Sequence, residues 1–198
     1  MADKPDAPAA RRNRNAILEV IGDEFRDCTT ILEIGSGTGQ HAIFFARQLP
    51  SLIWQTSDLA GNHEGICAWL KDANLDNVRA PIVLDVEEPL QFSERFEGVF
   101  SANTAHIMSI GAVAHMFRVV AECLEVGGKF CLYGPFNQDG AFTSDSNRNF
   151  DSSLRRQNAA MGIRDLEDLD GFAEKYGLQR KTLYAMPANN MLVTWIKK

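Results

Sequence analysis

Three glycines at alternate positions are the part of the sequence with the clearest chemical potential. Gly35, Gly37 and Gly39 follow the apolar run Thr30–Ile34, and a helical pattern begins at Gln40. Glycine lacks a Cβ, so a turn built from it adopts dihedral angles closed to other residues and lets a flat ligand lie against bare backbone. This strand–turn–helix pattern is typical of nucleotide binding.

An acidic residue beside this turn indicates which nucleotide it suits. Glu33 precedes the first glycine by two residues, and the spacing is G-x-G-x-G rather than the G-x-G-x-x-G of dinucleotide folds. In those folds a pyrophosphate rests on the helix N-terminus, and a carboxylate would repel it. The acid suits a ligand that is cationic at that end, such as the amino-acid and sulfonium part of S-adenosylmethionine. A dinucleotide, or a tight connection with no ligand, are the alternatives.

Short apolar strands alternate with helical patterns along the chain. We predict strands at 31–34, 52–56, 81–84, 98–102 and 129–133, and helices at 15–25, 40–49, 62–73 and 111–124. This alternation predicts an α/β fold with a doubly wound, mainly parallel sheet. The last two strand-like runs, 178–186 and 191–196, are joined too closely for a crossover helix, so they must pair as an antiparallel hairpin. A seven-stranded sheet of this kind is the Rossmann-like class I methyltransferase outline.

Residues just after each strand are cofactor candidates, because ligands of doubly wound sheets lie beyond the carboxyl ends of the strands. Asp58 can accept hydrogen bonds from both ribose hydroxyls, although dinucleotide folds use an acid at the same place. Asp85 can take the adenine amino group while Val86 presents its backbone amide; an exposed turn acid is the alternative. The predicted cofactor-binding residues are Glu33, Gly35, Ser36, Gly37, Thr38, Gly39, Asp58, Leu59, Asp85, Val86 and Asn103.

A candidate for acid–base chemistry follows the fourth strand. His106 can take a proton near neutral pH, as transfer to oxygen or nitrogen often requires, and a structural histidine is the alternative. A long polar insertion, 138–170, then precedes the hairpin, and such insertions are commonly lids or binding elements. A solvated excursion, and for the hairpin a plain turn, are the alternatives. The predicted substrate-binding residues are His106, Tyr133, Phe136, Asn137, Asn147, Arg156, Asn189 and Asn190.

Composition narrows the class of protein. The chain has 198 residues, is 45% hydrophobic and carries a formal net charge of -6, which suits one domain and argues against a nucleic-acid substrate. We predict a flexible arm at 1–14 and a single domain at 15–198. The arginines Arg11, Arg12 and Arg14 are expected to be solvated, and a binding role for them is the alternative. Neither a signal peptide, a membrane span nor metal-ligand spacing is evident, so we expect a cytoplasmic protein without a metal.

The sequence resembles class I S-adenosylmethionine-dependent methyltransferases and, more narrowly, the methyltransferase-like 26 family. The resemblance runs from about Arg12 to Trp195 and includes RNRNAILEV, ILEIGSGTGQHAIFFA, TSD, SANTAHI, LYGPFNQDGAFTSDSNRNFDSSLR, GIRDLEDL and MPANN. It implies a cofactor site at Glu33, Gly35, Gly37, Gly39, Asp58 and Asp85. It also implies a substrate side built from Asn103, His106 and the late polar segments. Gln55-Thr56 depart from the family, which often has a proline there.

These features predict methyl transfer from S-adenosylmethionine, with S-adenosylhomocysteine as product, to a small-molecule acceptor. A protein or RNA acceptor is an alternative. A protein that binds the cofactor as a scaffold or sensor is the alternative, since the motif reports binding and not turnover. A short-chain dehydrogenase is disfavoured because no tyrosine is followed four residues later by lysine. Nucleic-acid amino-methylation is disfavoured because Asn103-Thr104-Ala105-His106 lacks the two prolines and aromatic residue of that motif.

Overall fold

A computed structural model describes residues 4–89 and 92–198 of the chain. Its helices are α1 (Pro8–Glu24), α2 (Gln40–Gln48), α3 (His63–Ala73), α4 (Ile110–Cys123), α5 (Asp145–Gln157) and α6 (Leu166–Lys175). Its strands are β1 (Thr30–Ile34), β2 (Ile53–Asp58), β3 (Val78–Val83), β4 (Phe96–Ala102), β5 (Leu124–Gly134), β6 (Phe136–Asn137), β7 (Arg164–Asp165), β8 (Leu178–Met186) and β9 (Asn190–Lys197). Short 3-10 turns occupy Ala60–Asn62 and Pro187–Asn189.

Seven strands of the described chain form one sheet in the order β3-β2-β1-β4-β5-β9-β8. The pairs from β3 through β5 are parallel, whereas β9 runs antiparallel to both β5 and β8. The prediction of a doubly wound sheet with a C-terminal antiparallel hairpin is therefore confirmed. The carboxyl ends of β1, β2 and β4 meet at one edge, and the turn between β8 and β9 lies at the same edge because β9 starts opposite the end of β5 at Gly134.

Apolar side chains cover both faces of the sheet. On one face α1 and α2 pack over the sheet, and Phe45, Trp54 and Phe100 form a contiguous aromatic cluster. On the other face α4 and α6 pack over Phe130 and Trp195, whose rings stack at 5.6 Å. Because strands buried on both sides read as continuous apolar runs, these elements were predictable from the sequence.

The first helix begins earlier than predicted. It starts at Pro8 rather than at residue 15, so residues 8–14 of the predicted arm are helical. Proline suits the first helical position because its fixed φ matches the helix and its missing N–H has no partner there. The preceding residues also pack: the Trp69 indole donates to the Pro5 carbonyl at 2.8 Å, and Lys4 pairs with Asp72 at 2.5 Å. Flexibility of the arm stays a prediction for residues 1–3, which lie outside the described part.

The predicted insertion, residues 138–170, contains α5, β7 and the first half of α6. Asp151, buried on α5, connects this segment, because its Oδ1 accepts the Ile163 N–H at 2.8 Å and its Oδ2 accepts from Arg155 at 2.7 Å. These bonds hold parts of the insertion together, and the Asn147 amide connects it to the β8–β9 turn by donating to the Asn189 carbonyl. Within the described residues no helix is long and apolar enough to span a membrane.

Two glycines offer a matched test of this packing. A Cβ on Gly98, in β4, would lie 2.5 Å from Ile31 Cδ1 and 2.7 Å from Phe25 Cε1. We expect Gly98→Ala to lower the free energy of unfolding by about 1–3 kcal/mol through overpacking. Gly171→Ala, on the exposed side of α6 with no described atom within 4 Å of the new Cβ, should raise it by about 0.5–1 kcal/mol. Urea denaturation measures both, and the opposite order would contradict this packing.

Candidate functional site

The glycine turn between β1 and α2 adopts backbone conformations that favour glycine. The φ angles of Gly35, Gly37 and Gly39 are 73°, 58° and 86°. A Cβ on Gly35 would lie 2.7 Å from Thr104 Cγ2, and one on Gly39 would lie 3.2 Å from Ile66 Cα. A Cβ on Gly37 would meet no described atom within 4 Å. Two of the glycines therefore allow close protein packing, while Gly37 faces open space.

The acid predicted beside the turn is deeply buried. Glu33 is 2% exposed, and its Oε2 accepts hydrogen bonds from Ser36 Oγ at 2.9 Å and from the Trp54 indole at 3.1 Å. Burial raises the pKa of Glu33 to about 7, an effect that the hydrogen bonds from Trp54 and Ser36 reduce and the neighbouring Asp58 carboxylate increases. The carboxyl is thus poised to ionise when a cationic group is placed beside it.

Asp58 is held at the end of β2 by three donors. Its Oδ2 accepts the Gly37 N–H at 2.6 Å, and its Oδ1 accepts the Leu59 N–H and the Asn62 amide, each at 2.7 Å. These bonds fix the carboxylate against the glycine turn. Leu59 contributes its backbone amide here, while its side chain is 51% exposed at the same edge. The predicted partners Glu33, Asp58 and the turn therefore form one unit.

A cavity of about 660 Å³, here called the turn cavity, opens beside Gly37. Its described walls come from the turn, from the start of α3 and from the N-terminal segment: Pro5, Ala7, Gly37, Thr38, Gly61, Asn62, Glu64 and Gly65. Gln40 Oε1 accepts two hydrogen bonds, one from Thr38 Oγ1 at 3.1 Å and one from the Ala7 N–H at 2.5 Å. Gln40 thereby fastens the segment before α1 to the glycine turn.

Asp85 and Val86 follow the end of β3, outside the described walls of the turn cavity. Asp85 is half-buried, and its Oδ1 accepts the Glu87 N–H at 3.0 Å, which is the bond of a turn acid. The Val86 side chain is buried in the core beneath α4. Neither belongs to the described walls of the turn cavity, so a cofactor role for them rests on the strand-end position alone.

A second cavity of about 280 Å³, here called the hairpin cavity, lies between α1, the ends of β4 and β5, and the β8–β9 turn. It brings together three predicted residues that are distant in sequence, Asn103, Tyr133 and Asn190. Burial raises the pKa of the Tyr133 phenol, and the Asn13 amide beside it offsets part of that effect. The described walls are Ala9, Arg12, Asn13, Ala16, Asn103, Tyr133, Pro187, Ala188 and Asn190.

Strained backbone surrounds the hairpin cavity. Asn103, Ala188 and Asn189 have φ angles of 60°, 57° and 56°, in the left-handed region that residues with a Cβ rarely adopt. The Asn103 N–H donates to the Tyr133 carbonyl at 2.9 Å, which holds the bend after β4 in place. Backbone strain of this kind persists only where many surrounding contacts hold the conformation in place, and it is common at ligand sites.

His106 is buried beside the end of β5, where its Nδ1 lies 3.9 Å from the position of a Cβ on Gly134. It is 7% exposed, its ring meets the Phe150 ring edge-on at 5.3 Å, and it is not among the described residues that line either cavity. Burial and the nearby Arg164 charge lower the pKa of His106 to about 4. The imidazole is therefore neutral at physiological pH and is a weaker base than an exposed histidine.

The remaining predicted substrate residues are not gathered at the cavities. Phe136 is 1% exposed in the core, and the buried Asn137 Oδ1 lacks a hydrogen-bond partner among the described atoms. Asn147 ties α5 to the hairpin, because its Nδ2 donates to the Asn189 carbonyl at 3.0 Å. Asn189 returns a bond to Ser146 Oγ at 3.0 Å. Arg156 is exposed on α5, so its charge faces solvent.

Two polar groups beneath the site were missed by sequence reasoning. The buried Arg164 donates to the carbonyls of Ala105, Met108 and Ala160, which clamps the loop that carries His106. His41 Nε2 lies 2.8 Å from Asn13 Oδ1, which orients the Asn13 side chain toward the hairpin cavity. The one sequence signal for a buried Arg164 was its position between the apolar residues Ile163 and Leu166. A hydrogen bond between α1 and α2 has no sequence signature.

Comparison with known proteins agrees with this architecture. Residues 4–197 match the family model described as "Protein of unknown function (DUF938)". An O-methyltransferase family protein from Burkholderia thailandensis superposes with a TM-score of 0.80 at 14% identity, over 93% of this chain and 56% of that one. The mitomycin 7-O-methyltransferase gives 0.78 at 15% identity, over 92% and 54%.

A third structure carries ligands. It is an O-methyltransferase from neocarzinostatin biosynthesis in complex with S-adenosyl-L-homocysteine and 1,4-dihydroxy-2-naphthoic acid, with a TM-score of 0.77 at 16% identity, over 96% of this chain and 55% of that one. The present chain spans about half the length of these structures. At such identities the likeness establishes the class I methyltransferase fold.

The buried acid of the turn predicts a pH-dependent stability. The Glu33 carboxyl has a pKa of about 7 in the fold against 4.5 for an ordinary glutamate, so its protonated form stabilises the fold at low pH and this contribution is lost as the pH rises through 7. Glu33→Gln keeps an acceptor for Trp54 and Ser36 without the charge. Its free energy of unfolding should exceed the wild-type value by about 1–3 kcal/mol at pH 8, and by much less at pH 4.5.

Urea denaturation at the two pH values makes this measurement. Glu19→Gln, at an exposed position of α1, is the control and should leave the stability at both pH values unchanged. Equal stabilities of Glu33→Gln and wild-type protein at pH 8 would show that the buried carboxyl carries no ionisation penalty.

Proposed function

We propose that this chain, which belongs to the family described as "Protein of unknown function (DUF938)", is an S-adenosylmethionine-dependent methyltransferase that acts on a small molecule. The observation that carries the proposal is the glycine turn, where Gly37 faces open space and Glu33 and Asp58 lie on either side of it. Kinship with the methyltransferase-like 26 family is part of the proposal and rests on the Y-G-P-F, S-N-x-x-F-D and M-P-A-N-N segments.

The residues at the turn fit this cofactor better than a dinucleotide. A cationic amino-acid and sulfonium group is attracted by the buried Glu33, whereas a pyrophosphate at the same place would be repelled. The Asp58 carboxylate is oriented by three protein donors, and its Oδ2, which accepts only the Gly37 N–H, retains acceptor capacity for a ribose hydroxyl. The open space at Gly37 lets a ligand lie against the backbone, which a side chain there would prevent.

Each candidate then has a role set by its position. Asp58 would hold the ribose, Glu33 and the turn would hold the amino-acid end, and Asn103 would meet the cofactor where β4 ends. The exposed Leu59 side chain offers an apolar surface for the adenosine. A contact of Asp85 and Val86 with the adenine is proposed only because they follow the end of β3. The hairpin cavity, which adjoins Asn103, would receive the acceptor.

The cofactor supplies a methyl group already activated by its positively charged sulfur, so the protein chiefly aligns donor and acceptor. Alignment of this kind can lower a barrier by about 7–11 kcal/mol. Tyr133 and Asn103 are rigidly held at the hairpin cavity and are the residues placed to orient an acceptor. His106 is neutral at physiological pH and can accept a proton only weakly, so a role as base is secondary to positioning.

A small-molecule acceptor is favoured by the size and charge of the site. A cavity of about 280 Å³ accommodates a compact organic molecule, and the net charge of -6 disfavours a polyanionic nucleic acid. The structure of the O-methyltransferase from neocarzinostatin biosynthesis in complex with 1,4-dihydroxy-2-naphthoic acid supports a compact aromatic molecule as the ligand.

Calorimetric titration tests the cofactor. S-adenosylmethionine and S-adenosylhomocysteine should bind, and NAD should give no heat of binding. Asp58→Asn should weaken S-adenosylhomocysteine at least tenfold, because each hydroxyl bond to the carboxylate contributes about 1.5–3 kcal/mol. The exposed Asp76→Asn is the matched control and should bind as wild type. NAD binding with no response to S-adenosylhomocysteine would refute the proposal.

Gly37→Ala separates the ligand contact from the fold. The new Cβ meets no described protein atom but occupies the space opened by the glycine, at a φ of 58°. We expect a folded variant, destabilised by about 1 kcal/mol by the left-handed backbone, with at least tenfold weaker S-adenosylhomocysteine binding. Circular dichroism and calorimetry provide the two readouts. Undiminished binding would remove Gly37 from the site.

A screen for turnover separates an enzyme from a cofactor-binding scaffold. The protein would be incubated with S-adenosylmethionine and a metabolite extract, and products that gain the mass of one methyl group would be sought. Turnover that disappears in Asp58→Asn supports catalysis. Tight S-adenosylhomocysteine binding with no methylated product in small-molecule, peptide or RNA pools would favour the scaffold.

A further inference from the structure

The three arginines near the start of the chain differ in their surroundings. Arg11 pairs with Asp6, and the Arg14 guanidinium lies 4.4 Å from the centre of the Phe44 ring. Arg12 forms no ion pair with a described residue, and it lines the hairpin cavity. The helix that begins at Pro8 carries Arg12 to the sheet edge where Asn103 and the β8–β9 turn meet. Arg12 is exposed, so its guanidinium is open to solvent at the wall of this cavity.

The hairpin cavity has the charge pattern of an anion site. Its described walls include one arginine and no aspartate or glutamate, in a chain whose net charge is -6. Guanidinium groups match the planar geometry of carboxylates and bind them through parallel hydrogen bonds. An acidic protein that places an unpaired arginine in a cavity free of acids is suited to a negatively charged ligand.

Uncharged donors accompany the arginine. Tyr133, buried at the end of β5, keeps its phenolic proton at physiological pH because burial raises its pKa. The Asn13 side chain is held by His41 at 2.8 Å and lies beside Tyr133. A ligand in this cavity therefore meets a charged donor from α1 and a hydroxyl donor from β5.

Apart from Asn103 and Asn190, the rest of the described wall is small and apolar. Ala9 and Ala16 of α1 face Pro187 and Ala188 of the β8–β9 turn across the cavity. Side chains of this size leave a narrow space in which a flat body can be enclosed. The volume of about 280 Å³ suits one ring system rather than an extended chain.

We infer that the hairpin cavity is a carboxylate-binding site in which Arg12 receives the anionic group of a compact, flat organic acid. Assigning that acid as the methyl acceptor rests on the proposed function, whereas the carboxylate site itself does not. The same chemistry has a second source, because S-adenosylmethionine carries a carboxylate of its own. The two sources predict different ligand preferences.

Matched ligands test the inference on the full chain. Benzoate, salicylate and 1,4-dihydroxy-2-naphthoate would be compared with benzamide, salicylamide and naphthalene-1,4-diol by ligand-observed NMR. Each would be added to free protein and to protein saturated with S-adenosylhomocysteine. We expect at least one acid to bind about tenfold or more tightly than its neutral counterpart. Arg12→Gln should remove that preference, and Arg11→Gln, at the exposed neighbour paired with Asp6, should keep it.

The outcomes separate the sources of the carboxylate. Acid binding to the S-adenosylhomocysteine complex that depends on Arg12 assigns the site to the acceptor. If Arg12→Gln instead weakens S-adenosylhomocysteine about tenfold but leaves 5′-methylthioadenosine unchanged, and acids bind only free protein, the carboxylate is that of the cofactor. No acid preference in either form, with S-adenosylhomocysteine affinity unchanged in Arg12→Gln, overturns the inference. Failure of S-adenosylhomocysteine to bind wild-type protein refutes the proposed function. The comparison of acids with their neutral counterparts on free protein then still tests this site.

Discussion

The backbone between β1 and α2 must pass through three left-handed conformations within five residues, and the ligand edge of the molecule depends on that turn. Its first and third glycines permit contact with Thr104 and Ile66, which brings the loop after β4 and the start of α3 against it. Its middle glycine supplies an N–H to Asp58. One short segment thus aligns three strand ends, and side chains at those ends are positioned as a consequence.

Burial of Glu33 illustrates a conflict between stability and binding. A carboxyl that is 2% exposed is more stable protonated, and the hydrogen bonds from Trp54 and Ser36 only partly compensate for its desolvation. The protein therefore holds an acid whose ionised form is costly until a cation lies beside it. Buried acids with a raised pKa are typical of functional sites, where a replacement that stabilises the fold weakens the binding of the ligand.

The hairpin cavity is assembled from parts that have no regular geometry. Asn103, Ala188 and Asn189 adopt left-handed backbone conformations without being glycine. Asn103 is held by the end of β5, Ala188 by Asn190 of the same turn, and Asn189 by Asn147 of α5. Helix α5, which belongs to the polar insertion, fixes the β8–β9 turn through Asn147. The insertion therefore acts on the cavity by positioning the turn, while Arg156 on its outer face points to solvent.

The sequence by itself determined the fold and the glycine turn with its two neighbouring acids. Period-two and apolar patterns define the strands, and the short link between the last two strands forces a hairpin. The glycine turn and Glu33 are close together in sequence, and Asp58 ends the strand next to β1. Local chemistry of this kind is readable because backbone geometry restricts which residues can occupy it.

Only the tertiary structure decided the composition of the hairpin cavity. The sequence gives no sign of which residues meet Arg12. The fold places this exposed arginine at the wall of the hairpin cavity, buries His106 and Phe136, and engages Asn147 in a hydrogen bond to the Asn189 carbonyl. The pairing of α1 with a turn some 175 residues later is set by which apolar faces bury together. Such long-range contacts leave no local pattern in the chain, because the energy that selects them comes from the burial of side chains contributed by many separate elements.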